Sequence, residues 1–150
     1  MKKGPKGGGI QNRYKRVFKA LSLVSVFFVY TTIVIGGYVS SARAGLACPD
    51  WPECPPLTTW DIVIEFTHRI WSAVTGLLIL GTMILAVFYK GAKDIKVTSV
   101  LTLVTLVVQV MIGMFVIRTQ LNAEVVTAHL GLATLVFGLS LITAMKASRL

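Results

Sequence analysis

The sequence predicts an all-α integral membrane protein, built as a bundle of four transmembrane helices. Of its 150 residues, 55% are hydrophobic and only 14% are charged, and the mean hydropathy is +0.76. These values exclude an ordinary soluble domain. Four apolar segments are each long enough to cross the roughly 30 Å hydrocarbon core of a bilayer, which takes about 20 residues of helix.

The four segments are predicted to be helices because the bilayer offers no water to satisfy backbone N–H and C=O groups. Ala20–Ala42, Val97–Ile117 and Val125–Met145 contain no Asp, Glu, Lys or Arg. The second segment, Ile62–Tyr89, contains none from Ile70 onward. They form a single domain over residues 17–150, with helices predicted at about 17–42, 62–89, 97–117 and 125–145.

A basic segment, residues 1–16, precedes the first helix and is predicted to be cytoplasmic. Its first residues, with Gly4 and Gly7–Gly9, favour turns and predict a disordered lead. The basic start, the apolar run and Ala42-Arg43-Ala44 also resemble a secretory signal with its cleavage site. The run of 23 apolar residues exceeds the ~7–15 of a signal, and Arg43 suits that site poorly. We therefore interpret the run as a transmembrane helix.

The distribution of Lys and Arg predicts which helix ends face the cytoplasm. Seven cations precede the first helix, three lie between the second and third, and two follow the fourth. The opposite side receives the loop 43–61 and the turn 118–124, which carry four acids against two arginines. Both termini are therefore predicted to be cytoplasmic, with the long loop outside. The net charge of +9 suits contact with anionic membrane lipids, and no nucleic-acid partner is expected.

The two histidines of the chain, His68 and His129, lie inside the second and fourth apolar segments. Each follows an acid, Glu65 in one helix and Glu124 in the other. Because these helices run in the same direction, both imidazoles reach nearly the same depth, roughly 8–10 Å from the polar boundary at 1.5 Å per residue. Ionisable residues inside a membrane are costly and mark functional sites. The pair is therefore the candidate site for one ligand held between two helices.

A haem iron suits two imidazoles in an apolar helix bundle, because it accepts axial histidine on one or both faces. Zinc would want four ligands, and only Glu65 or water could complete the set. Copper would need Met111 and Met114, which we interpret as core residues. Plain interhelical hydrogen bonds are the structural alternative for the histidines. Their matched depth and the nearby Glu65 favour a bound cofactor.

The outer loop contains the only two cysteines, Cys48 and Cys54, within a Pro-rich turn. They lie on the non-cytoplasmic side, where disulfides persist, and the turn can bring their Cα atoms within ~4.4–6.8 Å. A disulfide is therefore predicted. It either clips the loop over the mouth of the bundle or takes part in redox chemistry, and the residues leave both roles open.

Several motifs together resemble the haem A synthase family. They match its glycine-rich helix end, its G-L-S-C-P-D-W-P-x-C loop, its E-x-x-H-R motif and parts of its third and fourth helices. The matching segments are Gly36-Gly37-Tyr38-Val39, Arg43 to Cys54, Glu65-Phe66-Thr67-His68-Arg69, Gln109 to Gly113 and Val126 to Gly131. The resemblance covers about Gly36 to Gly138. Most members are twice this length, with eight helices in two pseudo-symmetric halves, so this chain is similar to one half.

The resemblance implies oxidation of the C8 methyl of haem O to the formyl group of haem A, with haem b as electron-transfer cofactor. It makes His68 and His129 axial ligands of the haem iron and Glu65 a carboxylate beside the reacting edge. There an anion could stabilise positive charge or accept protons. The structural alternative for Glu65 is an i,i+4 ion pair with Arg69. The candidates for binding the haem propionates are Arg69, Arg43 and Arg118, and the resemblance makes Cys48–Cys54 a redox-linked disulfide.

One such chain has a single His pair, whereas the implied chemistry uses two haems. We therefore expect a homo-oligomer whose protomers supply the cofactor and substrate sites separately, in the plasma membrane of a prokaryote. Haem O synthase is the expected donor of haem O, and the sequence does not identify the electron acceptor. The alternative is a non-enzymatic b-type membrane cytochrome or haem carrier, to which Glu65 would be of little use. A thiol-oxidising membrane protein is a weaker candidate, since such proteins generally use a C-x-x-C pair and the spacing here is C-x5-C.

Overall fold

The computed structural model describes residues 8–89 and 93–150. Within these ranges the regular structure is entirely helical, and each of the four helices is long and apolar enough to cross a membrane. The helices are α1 (Gly8–Ser41), α2 (Trp60–Phe88), α3 (Lys93–Arg118) and α4 (Ala123–Ser148). The predicted all-α membrane bundle is confirmed. The cytoplasmic location of the termini stays a prediction.

Helix α1 begins earlier than the sequence predicts. Gly8 and Gly9 are already helical, although we expected glycines here to form part of an irregular lead. The early turns gain tertiary packing, since Phe18 is fully buried and the ring of Tyr14 stacks on that of Tyr89 at the end of α2. Packing of this kind outweighs the low helix propensity of glycine. The part of the predicted lead before residue 8 lies outside the described residues.

The four helices pack in a closed ring, in which successive helices are in contact and α1 closes against α4. Because successive helices are antiparallel, α2 and α4 run in the same direction and lie diagonally across the bundle. Large apolar side chains such as Phe27, Leu77 and Phe88 are exposed on the outside of the single chain. That distribution is typical of helices that face lipid.

The interior contains many small polar side chains between three small apolar clusters. The clusters centre on Phe18, on Val29 and on Val39. Small hydroxyl residues allow helix backbones to approach closely in membranes, where packing and hydrogen bonds drive helix association. The buried hydroxyl residues are Ser22, Ser25, Thr75, Thr82, Thr98, Ser99, Thr102, Ser140 and Thr143.

The connection between α3 and α4 is a tight reversal. Gln120 and Leu121 have φ angles of 54° and 61°, in the left-handed region that turns the chain. Asn122 then caps α4, because its side-chain oxygen accepts hydrogen bonds from the backbone N–H groups of Glu124 at 3.0 Å and Val125 at 3.3 Å. Leu121 also reaches Gly45, which places this turn against the longer α1–α2 loop.

Candidate functional site

His68 lies on the third turn of α2 and packs against Gly36 of α1. A β-carbon at position 36 would lie 2.8 Å from Cε1 of the imidazole, so only glycine leaves room for the ring. Nδ1 of His68 is buried and, among the described residues, has no hydrogen-bond partner. A buried polar atom without a partner costs about 1–3 kcal/mol. The ring is therefore positioned by packing and has hydrogen-bonding or ligating capacity to spare.

His129 on α4 repeats this arrangement against α3. A β-carbon at Gly113 would lie 3.0 Å from Cε1 of His129. Nδ1 is again buried without a partner in the described part of the chain, and Nε2 lies 3.2 Å from Nε2 of Gln109. The carboxamide oxygen of Gln109 is itself buried and unpartnered there. Three polar atoms at this level of the bundle thus lack a partner among residues 8–89 and 93–150.

The two imidazoles occupy diagonal helices at similar depth. His68 lies eight residues after the start of α2 and His129 six residues after the start of α4. These spacings correspond to about 12 and 9 Å along the helix axes. The matched depth expected from the sequence therefore agrees with the helix boundaries, and both rings lie in the outer half of the bundle if the termini are cytoplasmic.

This donor set fits a haem iron better than the other metals considered. A haem already supplies four equatorial nitrogens, so two imidazoles with unused buried nitrogens are the complement it needs. Across residues 8–89 and 93–150, no three or more His, Cys, Asp and Glu side chains are grouped so that they could hold a metal ion. A structural zinc site needs four such ligands. Met111 is 50% exposed on the outside of α3, which removes the thioether pair considered for copper.

Glu65 lies one turn before His68 and is only 4% exposed. One carboxylate oxygen accepts a hydrogen bond from the guanidinium of Arg69 at 2.7 Å. The other accepts one from the backbone N–H of Cys48 at 2.8 Å. The i,i+4 ion pair considered as the structural alternative is therefore present. It is largely buried, and Glu65 also binds the loop between α1 and α2 through the Cys48 N–H.

Arg69 donates hydrogen bonds to backbone carbonyl groups of the loop between α1 and α2. One terminal nitrogen donates to the carbonyl oxygens of Asp50 at 2.6 Å and Glu53 at 2.7 Å, with Pro52 at 3.3 Å. The other donates to the carbonyl of Cys48 at 2.5 Å as well as to Glu65. Both terminal nitrogens of Arg69 are thus engaged within the chain. Its predicted role in binding a haem propionate stays a prediction, in competition with these contacts.

The other two predicted propionate partners are placed differently. Arg43 lies just beyond the end of α1, with a φ of 58°, and Arg118 is the last residue of α3. Both side chains are exposed at the same end of the bundle as the histidines. They are free of the loop contacts that engage Arg69, and their predicted role is open to test.

The predicted disulfide is present between Cys48 and Cys54, with a Cα–Cα distance of 4.7 Å. Cys48 is fully buried, and both its backbone groups are held, the N–H by Glu65 and the carbonyl by Arg69. The disulfide loop is thus docked on the first turns of α2, beside His68.

Sequence reasoning missed two features of this site. Gly36 and Gly113 were noticed only as parts of family motifs, although each makes room for one histidine ring. The sequence signal that could have indicated these contacts is a glycine in the helix that precedes each histidine-bearing helix. Arg69 was considered as a propionate partner, whereas its described hydrogen bonds bind the loop. No sequence pattern indicates the loop conformation that turns four carbonyl groups toward it.

Comparison with known proteins identifies the family. The model of the COX15-CtaA family, described as cytochrome oxidase assembly protein, matches residues 57–150, so its match begins later than the resemblance we drew from Gly36. A heme A synthase from Exiguobacterium sibiricum is 29% identical over 134 residues, 83% of this chain and 45% of that protein. A heme A synthase from Lysinibacillus sphaericus is 25% identical over 144 residues, 89% of this chain and 45% of that protein.

A protein from Halobacterium salinarum named protoheme IX farnesyltransferase is 30% identical over 132 residues. The match takes in 85% of this chain but 28% of that protein. The chain spans less than half the length of the curated relatives described here. The family model covers more than half of the chain, and the relatives of the chain include heme A synthases. The chain therefore belongs to the haem A synthase, or COX15-CtaA, family of cytochrome oxidase assembly proteins.

Proposed function

We propose that this chain is a haem A synthase, which oxidises the C8 methyl of haem O to the formyl group of haem A in the plasma membrane of a prokaryote. The observation that carries the proposal is the pair of imidazoles on diagonal helices, each with a buried nitrogen that has no partner among the described residues, beside a fixed carboxylate. Relatives named heme A synthase support the choice of reaction.

In this proposal His68 and His129 hold a haem iron between α2 and α4. Gly36 and Gly113 let each ring pack against the neighbouring helix backbone, which limits the rotamers the ligands can adopt. Gln109 contacts the His129 ring and helps to orient it, as residues beside metal-binding histidines commonly do. A bound haem b would supply one-electron redox chemistry.

The proposed role of Glu65 is that of a fixed negative charge. Converting a methyl to a formyl group removes four electrons from the carbon, and positive charge develops near it as electrons leave. Both oxygens of Glu65 already accept hydrogen bonds, from Arg69 and from the Cys48 N–H. That arrangement suits an oriented anion, which stabilises developing charge without reorganising, better than it suits a proton acceptor.

The proposed assembly is a homo-oligomer. The chain has two histidines and therefore one pair, while the proposed reaction needs a place for haem O as substrate and another for haem b. The heme A synthases described above are more than twice as long as the matched segment, which supports a second copy of this chain as the source of a second histidine pair. Full activity in a preparation shown by light scattering to be monomeric would contradict this assembly.

The orientation in the membrane is part of the proposal. Cations flank the helix ends opposite the disulfide loop, which supports cytoplasmic termini and an outer loop. The oxidising side of the membrane is where the Cys48–Cys54 disulfide would persist. Exposed Arg43 and Arg118 at that end are the proposed partners of outward-pointing haem propionates.

A haem O synthase is the proposed source of the substrate. Two relatives carry the name protoheme IX farnesyltransferase, and each contains a segment similar to this chain as about a quarter of its length. The presence of such a segment in proteins of that name supports a farnesyltransferase as the source of the substrate. The electron acceptor is left open.

A non-enzymatic b-type cytochrome or haem carrier is the second candidate. The observation that favours it is the engagement of Glu65, whose two oxygens both bind groups of the same chain. An ion pair that only anchors the loop would serve an electron carrier equally well. The His68 and His129 ligands would be the same in either case.

The experiment that separates the candidates is extraction and identification of haems from membranes that contain the protein and a source of haem O. We expect haem A from the parental protein, and about 10²-fold less from Glu65→Gln with haem binding retained, as for loss of one preorganised electrostatic group. Glu124→Gln, at an exposed acid in the first turn of α4, is the matched control. Bound haem b without haem A from the parental protein would favour the carrier. Parental activity in Glu65→Gln would refute the role of that carboxylate.

A further inference from the structure

Cations gather at the end of the bundle that lies away from the histidines. Four belong to the beginning of α1, two to the beginning of α3 and two to the end of α4, and Asp94 is the only acid at this end. Within residues 8–89 and 93–150 the single ion pair joins Glu65 to Arg69, at the other end. The positive charge of this end is therefore not neutralised by carboxylate side chains of the described chain.

The seam between α1 and α4 brings part of this charge together. Nearer the bundle centre, the ring of Tyr30 on α1 contacts that of Phe137 on α4, with centroids 6.1 Å apart. Lys19 precedes Tyr30 by 11 residues, and Ser148 follows Phe137 by 11. Eleven residues make three helical turns, or about 16 Å. Because the two helices are antiparallel, Lys19 and Ser148 lie at the same level, in line with the aromatic pair.

A hydrogen bond at the end of the seam agrees with this register. Nζ of Lys15, one turn before Lys19, donates to the backbone oxygen of Leu150 at 2.8 Å. Arg16 follows Lys15 in the chain, and Arg149 precedes Leu150. The side chains of Lys19, Arg16 and Arg149 are exposed. Three exposed cations from two helices thus surround the end of one seam.

From these cations toward the bundle centre, the seam exposes apolar side chains. Leu23, one turn after Lys19, is 52% exposed, and Leu141, two turns before Ser148, is 40% exposed. The apolar surface continues to Tyr30, about 16 Å from Lys19 along the helix. That length matches one leaflet of a bilayer, which is half of a hydrocarbon core of roughly 30 Å.

The charge and the length of this surface select its occupant. Exposed cations without carboxylate partners attract an anion, and arginine binds phosphate oxygens in a bidentate manner. A second copy of the chain at this seam would bring like charges together, which is unfavourable. We propose that the α1–α4 seam binds one anionic phospholipid. Its phosphate contacts Lys19, Arg16 and Arg149, and its acyl chains lie along Leu23 and Leu141.

Native mass spectrometry of the full chain, released from detergent micelles, tests this proposal. The probes are phosphatidylglycerol and phosphatidylcholine with identical acyl chains, of which only the first has a net negative charge. We expect phosphatidylglycerol to bind more tightly, and Lys19→Gln to weaken its first binding step about fivefold, as for one cation at an anionic headgroup. Phosphatidylcholine binding should not change. Lys19→Arg keeps the charge and should retain the parental affinity.

Lys93→Gln is the matched control, because Lys93 is an exposed lysine at the same end of the bundle but begins α3, outside the seam. It should leave the first binding step unchanged. An equal loss in Lys93→Gln and Lys19→Gln would overturn the proposal, since it would indicate binding to the charged end as a whole. Parental affinity in Lys19→Gln would also overturn it.

Two further measurements separate the lipid from other occupants. Glycerol phosphate, the soluble part of the headgroup, should not displace phosphatidylglycerol even in large excess, because it lacks acyl chains. Displacement would assign the cations to a soluble anion and overturn the proposal. A dimer that changes in abundance in Lys19→Gln, with lipid binding at the parental level, would assign the seam to a second copy of the chain instead.

Discussion

The two ends of this bundle bury polar groups in opposite ways. At the histidine end, His68, His129 and Gln109 present buried atoms without partners in the described chain. At the other end, hydroxyl groups such as those of Ser99 and Thr143 are satisfied by carbonyls of their own helices. The first arrangement costs free energy unless a ligand pairs with those atoms, whereas in the second the hydroxyls are satisfied within the described helices, except for that of Ser140. The comparison therefore separates the proposed cofactor site from helix-packing chemistry within one four-helix chain.

The largest expected effect on stability concerns the ion pair at the histidine end. Arg69→Gln leaves Glu65 buried without its cation and releases the carbonyls of the loop. Breaking a buried pair costs 3–5 kcal/mol, and about 2–4 kcal/mol is expected here because the Arg69 side chain is 13% exposed. The free energy of unfolding in detergent measures the loss.

Arg43→Gln is the matched control for that variant, since Arg43 is exposed beyond the end of α1. We expect it to change the unfolding free energy by less than about 0.5 kcal/mol. Reduction of the Cys48–Cys54 disulfide by dithiothreitol should also become faster in Arg69→Gln, because the loop is no longer docked. Equal reduction rates in the two variants would show that Arg69 does not hold the loop.

The next effect concerns the glycine beside His68. Gly36→Ala places a β-carbon 2.8 Å from the imidazole, so the ring must move, at a cost of about 1–3 kcal/mol for overpacking. Gly37→Ala on the same helix meets nothing within 4 Å and should be neutral or slightly stabilising. Haem retained per protein, measured by the pyridine haemochrome, should fall in the first variant and stay constant in the second. Equal haem content in the two variants would show that Gly36 is not needed to position His68.

The smallest effect is expected at the hydroxyl end. Thr82→Val keeps the shape of the side chain but removes its hydrogen bond with Ser25. Interhelical hydrogen bonds in membrane proteins contribute about 0.6 kcal/mol on average, so the unfolding free energy should fall by that order. Haem content should not change. A loss of haem in Thr82→Val would mean that the two ends of the bundle are not independent.

Much of the histidine end could be predicted from sequence, because its features are local. The depth of His68 and His129 follows from helix length and direction, and the Cys48–Cys54 pairing follows from spacing and compartment. The contact of Arg69 with the loop could not be predicted, since it depends on how the chain folds back between α1 and α2.

Other features depend on helix rotation and packing, which sequence patterns do not determine. The glycine contacts of the histidines arise from how α1 and α3 face their neighbours. Helix α1 continues to Gly8 because Phe18 and Tyr14 find partners on other helices. The unpartnered hydroxyl of Ser140 appears only once four helices enclose it. Propensity and periodicity describe one helix at a time and cannot supply these relations.

The central claim is that His68 and His129 together ligate a haem iron. The absorption and electron paramagnetic resonance spectra of the purified, haem-loaded protein test it most directly, in the parental protein and in His68→Ala and His129→Ala. We predict a six-coordinate low-spin spectrum for the parental protein and its loss in each variant, because either substitution removes one axial ligand. A low-spin spectrum and haem content unchanged in both variants would contradict the account.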